Sequence, residues 1–151
     1  MDNEKSPLAW GLKYASLGIA ISPFPYRGSG YKDATTDLDQ ITKWCEGGNV
    51  TGWQANLSRW TVVDLEDKNG KNGRATLDRL MVMADYDCEI LQEIPCLRTK
   101  TGEGRHFWFY EPLKQRRIGL AEGIDVLENP MLPPMPGYSW EVEPGDGEAH
   151  R

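Results

Sequence analysis

Val62-Val63-Asp64-Leu65-Glu66 is an apolar run that ends in acids. The valines and leucine predict a strand, and along a strand residues i and i+2 share one face. Asp64 and Glu66 therefore point the same way, with Val63 and Leu65 packed into a core behind them. Two such carboxylates stand about 7 Å apart and repel each other unless a cation lies between them. Hard divalent ions such as Mg²⁺ accept these oxygens, and substrate phosphates complete the shell. The plain alternative is the solvent face of an amphipathic strand. Three acids in four residues (Asp64, Glu66 and Asp67) at the end of the run favour a site.

On either side of this run, helices and strands alternate. A helix is expected over residues 7–17, with apolar Leu8, Leu12 and Ala15, Ser6 as its cap and Gly18 just past its end. Ile19-Ala20-Ile21 reads as a buried strand closed by Pro23 and Pro25. A loop with Gly28, Gly30 and Lys32 follows. Thr36 or Asp37 then caps a helix with apolar Leu38, Ile41 and Trp44, ended by Gly47-Gly48. Residues 49–54 and 60–65 look like two strands joined by a tight turn near Ala55-Asn56. Leu77, Leu80, Met81 and Ala84 recur at helical spacing, which predicts a helix over residues 74–84. Asp85-Tyr86-Asp87 comes at its end, where an i, i+2 acid pair diverges and cannot share a metal. Further strands are expected over residues 94–99, 106–110 and 124–126. The segment carrying Pro130, Pro133, Pro134 and Pro136 reads as an exposed loop. An edge strand over residues 138–142 and a linker or tail over 143–151 complete the chain. Alternation with hairpins makes the class α+β (α/β-type).

Between two of these strands lies Thr99-Lys100-Thr101-Gly102-Glu103-Gly104-Arg105-His106. Its glycines supply positive φ for a hairpin in the plain reading. In the functional one, freed backbone N–H groups with Lys100 and Arg105 cradle a triphosphate. Alternation puts His106 and Trp108 on the face opposite Phe107 and Phe109. A single histidine on an exposed face suits a phosphate donor better than a metal site. Asp125, flanked by Ile124 and Val126, repeats the pattern of an acid on an apolar strand.

With 151 residues the chain is one domain. No apolar run reaches the roughly 18 residues of a membrane span, and the acidic N-terminus lacks a secretory layout. Cys45, Cys88 and Cys96 form no CxxC pair and read as reduced, buried thiols. The net charge of −6 opposes nucleic-acid binding, yet residues 98–117 hold six basic residues against two acidic ones. Carboxylates that hold metal beside a basic rim that handles phosphates would account for both.

The order of these pieces resembles the prim-pol domain of the archaeo-eukaryotic primase superfamily. The match runs from the proline-ended strand through Ala34-Thr35-Thr36-Asp37, Trp44 and Asn49-Val50. It continues with Asp64-Leu65-Glu66, Thr101-Gly102-Glu103-Gly104-Arg105-His106 and Gly123-Ile124-Asp125-Val126, covering roughly residues 8 to 140. After the third acid the family has a glycine-rich strand and a Pro-Pro-Ser loop. Here Val126 leads almost directly to Leu132-Pro133-Pro134.

The resemblance implies a catalytic domain over residues 1–142, with an RRM-like antiparallel sheet carrying the active site beside a small N-terminal αβ unit. It implies Asp64, Glu66 and Asp125 as ligands of Mg²⁺ or Mn²⁺, and His106 as a contact to the incoming nucleotide's phosphates. Arg105, Lys100, Thr101, Gly102, Gly104 and Lys32 are further candidates for nucleotide binding. The implied enzyme is a nucleotidyltransferase, a DNA primase or DNA-directed DNA polymerase, that extends NTP or dNTP on a single-stranded DNA template by two-metal phosphoryl transfer. It would act in the cytoplasm, a host's if phage-encoded, in replication of a plasmid, phage or mobile element, and a helicase domain or protein is an optional partner. Two other classes compete. Paired carboxylates with a histidine also suit a metal-dependent nuclease, and a non-catalytic nucleotide- or nucleic-acid-binding module could share the fold.

Overall fold

Residue patterning at the N-terminus sets the first packing layer. In the computed structural model, which describes residues 5–26, 28, 30–66, 72–83, 94–99, 104–109 and 124–145, Ser6 caps helix α1 (Pro7–Ser16). Its hydroxyl accepts the Ala9 N–H at 3.1 Å, and Pro7 fills a first-turn position where no donor is needed. The buried face of α1 differs from the expected aliphatic stripe. Trp10, Gly11, Tyr14 and Ala15 are buried, whereas Leu8 and Leu12 are only partly so. Aromatic rings remove more apolar area from water per residue, so the helix turns them inward. Gly11 permits this approach. A Cβ there would meet Trp53 Cζ2 at 2.7 Å and Ile41 Cγ2 at 2.9 Å.

Strand β1 (Ala20–Phe24) runs through Pro23 instead of stopping at it. Ile21 exchanges backbone hydrogen bonds with Thr35 on the side away from its neighbouring strand. Pro23, two residues on, has the same orientation, so its missing N–H falls on that open edge. A one-turn 3₁₀ helix (Gly30–Asp33) and α2 (Leu38–Glu46, with Asp37 as cap) follow.

Strands β2 (Gly52–Asn56) and β3 (Thr61–Glu66) correct a second expectation. They form no hairpin. The chain stays extended through Ala55 and Asn56, and the two strands enter different sheets. One sheet has the order β1-β2-β7, with β7 at Met131–Leu132. The other has the order β6-β3-β5-β4-β8, built from β4 (Cys96–Arg98), β5 (Gly104–Phe109), β6 (Ile124–Leu127) and β8 (Ser139–Val142). Every pairing is antiparallel. Helix α3 (Gly73–Met83) packs on β3 and β6. The molecule is thus α+β with antiparallel sheets.

The proline-rich segment is the third correction. It contains β7, which pairs Leu132 with Trp53, and both Leu132 and Met135 are buried. Proline marks the loop correctly but says nothing about burial of its neighbours. The Tyr14 hydroxyl donates to Pro133 O at 2.9 Å and accepts Trp140 Nε1–H at 2.9 Å, and burial pushes its phenol well above the ordinary range. Lys5 and Lys13 donate to Glu143 at 3.0 and 2.8 Å, which ties that residue to α1. The bond from Lys13, then that from Lys5, holds the Glu143 carboxyl below its usual range. Neither Cys45, which is only partly buried, nor the buried Cys96 is in a disulfide, and burial raises Cys96 to about 11. Cys88 and the Asp85–Asp87 pair lie outside the described residues.

The five-stranded sheet separates two cores. Val62, Leu97, Trp108 and Trp140 face the N-terminal unit and join Trp10, Tyr14, Ile41 and Trp53 in one cluster. Leu65, Cys96, Phe107 and Ile124 face the other way, with Leu77 of α3 packed against them.

Candidate active site

The site follows from register. Asp64 on the central strand β3 faces His106 on β5 and Asp125 on β6. Directly opposed residues share a sheet face with Cβ atoms about 4.5–5.5 Å apart. Asp125, Asp64 and His106 therefore form one row across three strands. Glu66 lies one step along the same face, opposite Gly104. In the other direction that face carries Val62 and Trp108, so the acids begin where the aromatic core ends. The flanking residues explain why Asp125 emerges here: Ile124 and Val126 are buried behind it.

His106 is buried, with 7% exposure, and not on an open face as its surroundings in sequence suggested. Its row continues to Leu97 on β4, which is fully buried. Nε2 lies 3.4 Å from Asp64 Oδ1. Nδ1 is buried and has no hydrogen-bond partner among the described residues. Nε2 is therefore the ring nitrogen that faces the carboxylate edge of the row.

The row supplies hard oxygen donors of the kind that Mg²⁺ or Mn²⁺ takes. The side chains themselves are not converged on one point: among the described residues, no group of three or more His, Cys, Asp or Glu stands placed to hold a metal ion. Asp64, whose side chain is 26% exposed, is turned to His106 instead. The backbone register puts Asp64, Asp125 and Glu66 on one face of the sheet.

The glycine turn departs from the positive-φ reading at the one glycine described there. Gly104 is not in the left-handed region. It is glycine for space: a Cβ would meet Thr99 Oγ1 at 2.8 Å and Leu65 O at 3.4 Å. Thr99 N–H donates to Gly104 O at 3.2 Å and so closes the base of the turn. This role of Thr99 was not foreseen, although its place directly before the turn was a usable signal. Lys100, Thr101 and Gly102 lie outside the described residues, as do Lys114, Arg116 and Arg117 of the basic stretch. Arg105 is not brought to the acidic face. Alternation sends it to the opposite side, where Nε meets Glu141 at 2.7 Å. Lys32 is exposed on the 3₁₀ helix beside β1 and β2.

An α+β domain that lines up carboxylates and a histidine on one antiparallel face has the equipment of a phosphate-handling enzyme. The chain belongs to the prim-pol family: residues 3–146 match the family described as bifunctional DNA primase/polymerase, N-terminal. Membership places it among primase/polymerase-type nucleotidyltransferases, which interact with nucleotides and nucleic acid. No curated protein and no solved structure matches it. No helix among the described residues is long and apolar enough to cross a membrane.

Proposed function

We propose that this chain is the catalytic domain of a template-dependent DNA primase, DNA polymerase or both, serving replication of a plasmid, phage or other mobile element. The observation that carries the reading is the register of Asp125, Asp64 and His106 in one row. Asp64 and Asp125, with Glu66 beside them, offer the oxygens to hold Mg²⁺ or Mn²⁺. The chemistry such ions supply when bound is activation of the attacking 3′-hydroxyl and stabilisation of the departing pyrophosphate. His106, with Nε2–H at the row's edge, donates to a phosphate oxygen of the incoming nucleotide. Its burial limits the orientations that the donor can take.

The test is extension of a primed single-stranded DNA template by labelled dNTP or NTP in Mg²⁺ or Mn²⁺. Incorporation that disappears in Asp64→Asn and in Asp125→Asn is the expected result. Degradation of the template without extension would replace this reading with a nuclease, and full activity in either variant would refute the row as the catalytic centre.

A further inference from the structure

The large hydrophobics left exposed among the described residues are Tyr26, Tyr31 and Leu38, at 52%, 41% and 51%. All three fall within a stretch of 13 residues, on the N-terminal unit and outside the acidic row. The backbone holds the rings in place. Gly28 and Gly30 both take positive φ, and the Tyr26 ring lies against Gly30 while meeting Phe24 edge-on at 5.6 Å. Tyr31 is anchored through its carbonyl, which accepts Asn56 Nδ2–H at 3.3 Å. Lys32 stands exposed next to it.

Gly28 and Asp33, close to these tyrosines in sequence, also line an open recess of about 460 Å³ together with Thr35, Asp37, Gln40 and Trp44. Trp44 is half-buried, with its ring centroid 6.4 Å from that of Trp53. The remaining lining is polar. A protein side chain of aliphatic type gains little there, whereas a nucleobase offers a π face to an aromatic ring and a hydrogen-bonding edge to amide, hydroxyl and carboxylate. Asp33 and Asp37 repel phosphate, so a base enters and its phosphodiester stays outside. Carboxylates accept from exocyclic amino groups, which cytosine has and thymine lacks.

We propose that Tyr26, Tyr31 and the Trp44 recess form a stacking platform for unpaired bases of single-stranded nucleic acid, with cytosine preferred to thymine. The proposal rests on the polymerase reading for its class of partner and names a surface that reading does not use.

The experiment measures fluorescence anisotropy of labelled dC12 and dT12 with the full chain at low salt in EDTA, where divalent ions play no part. Loss of a stacked ring weakens binding by about tenfold. The variant carrying Tyr26→Ser and Tyr31→Ser, both at exposed positions, is expected to bind dC12 at least that much more weakly with an unchanged melting temperature. The Tyr26→Phe, Tyr31→Phe variant keeps the rings and is expected to bind as the parent does. The parent should favour dC12 over dT12 by about threefold or more. Binding of dC12 by the serine variant within twofold of the parent would overturn the platform and leave the rings to another partner, such as a protein. So would an equal loss in the phenylalanine variant, or a preference for dT12. Asp64→Asn separates the two proposals, because it should bind dC12 normally while losing incorporation. If the parent binds dC12 through the rings yet never extends a primer, the polymerase reading fails and the platform stands.

Discussion

The two faces of the five-stranded sheet are made by the same strands and serve opposite ends. On the face covered by α3, Leu65, Cys96, Phe107 and Ile124 meet Leu77, and the described side chains close into an apolar core. On the other face Val62, Leu97, Trp108 and Trp140 extend the aromatic core, which stops at a row of two carboxylates and a histidine. Alternation along β3 makes both faces at once: Val63 and Leu65 pack inward on one side, and Asp64 and Glu66 emerge on the other. One face gives up stability to keep charges together, and the other compensates by burial.

The sharpest way to break that contrast is to neutralise the row. Asp64→Asn and Asp125→Asn should each lower nucleotide incorporation by about 10³-fold, the scale of several kcal/mol of transition-state charge stabilisation. Removing one of two opposed like charges should meanwhile leave the melting temperature unchanged or higher. A fall in thermal stability that matched the activity loss would mean the acids hold the fold together, and the contrast between the faces would collapse.

Next in size is the aromatic core under the row. Trp108 is fully buried and meets Trp60 at 5.8 Å and Trp140 at 5.7 Å. Trp108→Ala should cost about 3–5 kcal/mol in urea unfolding. Phe107→Ala, adjacent in sequence but on the other face, should cost a similar amount. A cost below about 1 kcal/mol at either position would show that the corresponding face is not packed as described.

A smaller effect is expected at Tyr14, whose hydroxyl both donates and accepts within the core. Tyr14→Phe should cost about 1–3 kcal/mol, because it leaves Pro133 O and Trp140 Nε1 without their partner. The raised phenol pKa gives the pH signature. The stability it represents is present below the ordinary tyrosine pKa of about 10 and is lost as pH rises beyond it. The parent should therefore lose stability in alkali more steeply than Tyr14→Phe, which thermal melts across that range would reveal.

The smallest effect concerns Glu143. Its lowered pKa means that its contribution is present above the usual carboxylate range and fades as pH falls through the lowered value. Exposed ion pairs are worth about 0–1 kcal/mol, so Glu143→Gln should flatten the acid side of the melting curve only slightly. Added salt should erase the difference.

Much of this contrast was legible in the sequence because a period of two is hard to mistake. It placed Asp64, Glu66, His106 and Asp125 on one face and assigned Val63, Leu65, Ile124 and Phe107 to the other. The same rule sends Arg105 away from His106, its neighbour. What could not be read were partners distant in sequence. The short connection between β2 and β3 has the length of a hairpin turn, and only the pairing of β2 with β1 and β7 shows otherwise. The inward face of α1 depends on Trp53 and Ile41, which no periodicity within residues 7–17 encodes. The burial of His106 likewise follows from pairing with other strands, with Asp64 on one side and Leu97 on the other.

The proline within β1 bears on what happens between molecules. An exposed strand edge is a template on which a second chain can pair, and continuous runs of free donors make it dangerous. At this edge Thr35 already occupies the rung at Ile21, and the next outward position, Pro23, has no hydrogen to give. At the far side of the other sheet, the register shift where β4 meets β8 bends the last strand, and Glu141 puts a charge there. An approaching copy finds an interrupted ladder at both places. Two of the four edges of the described sheets thus discourage pairing between copies of the chain.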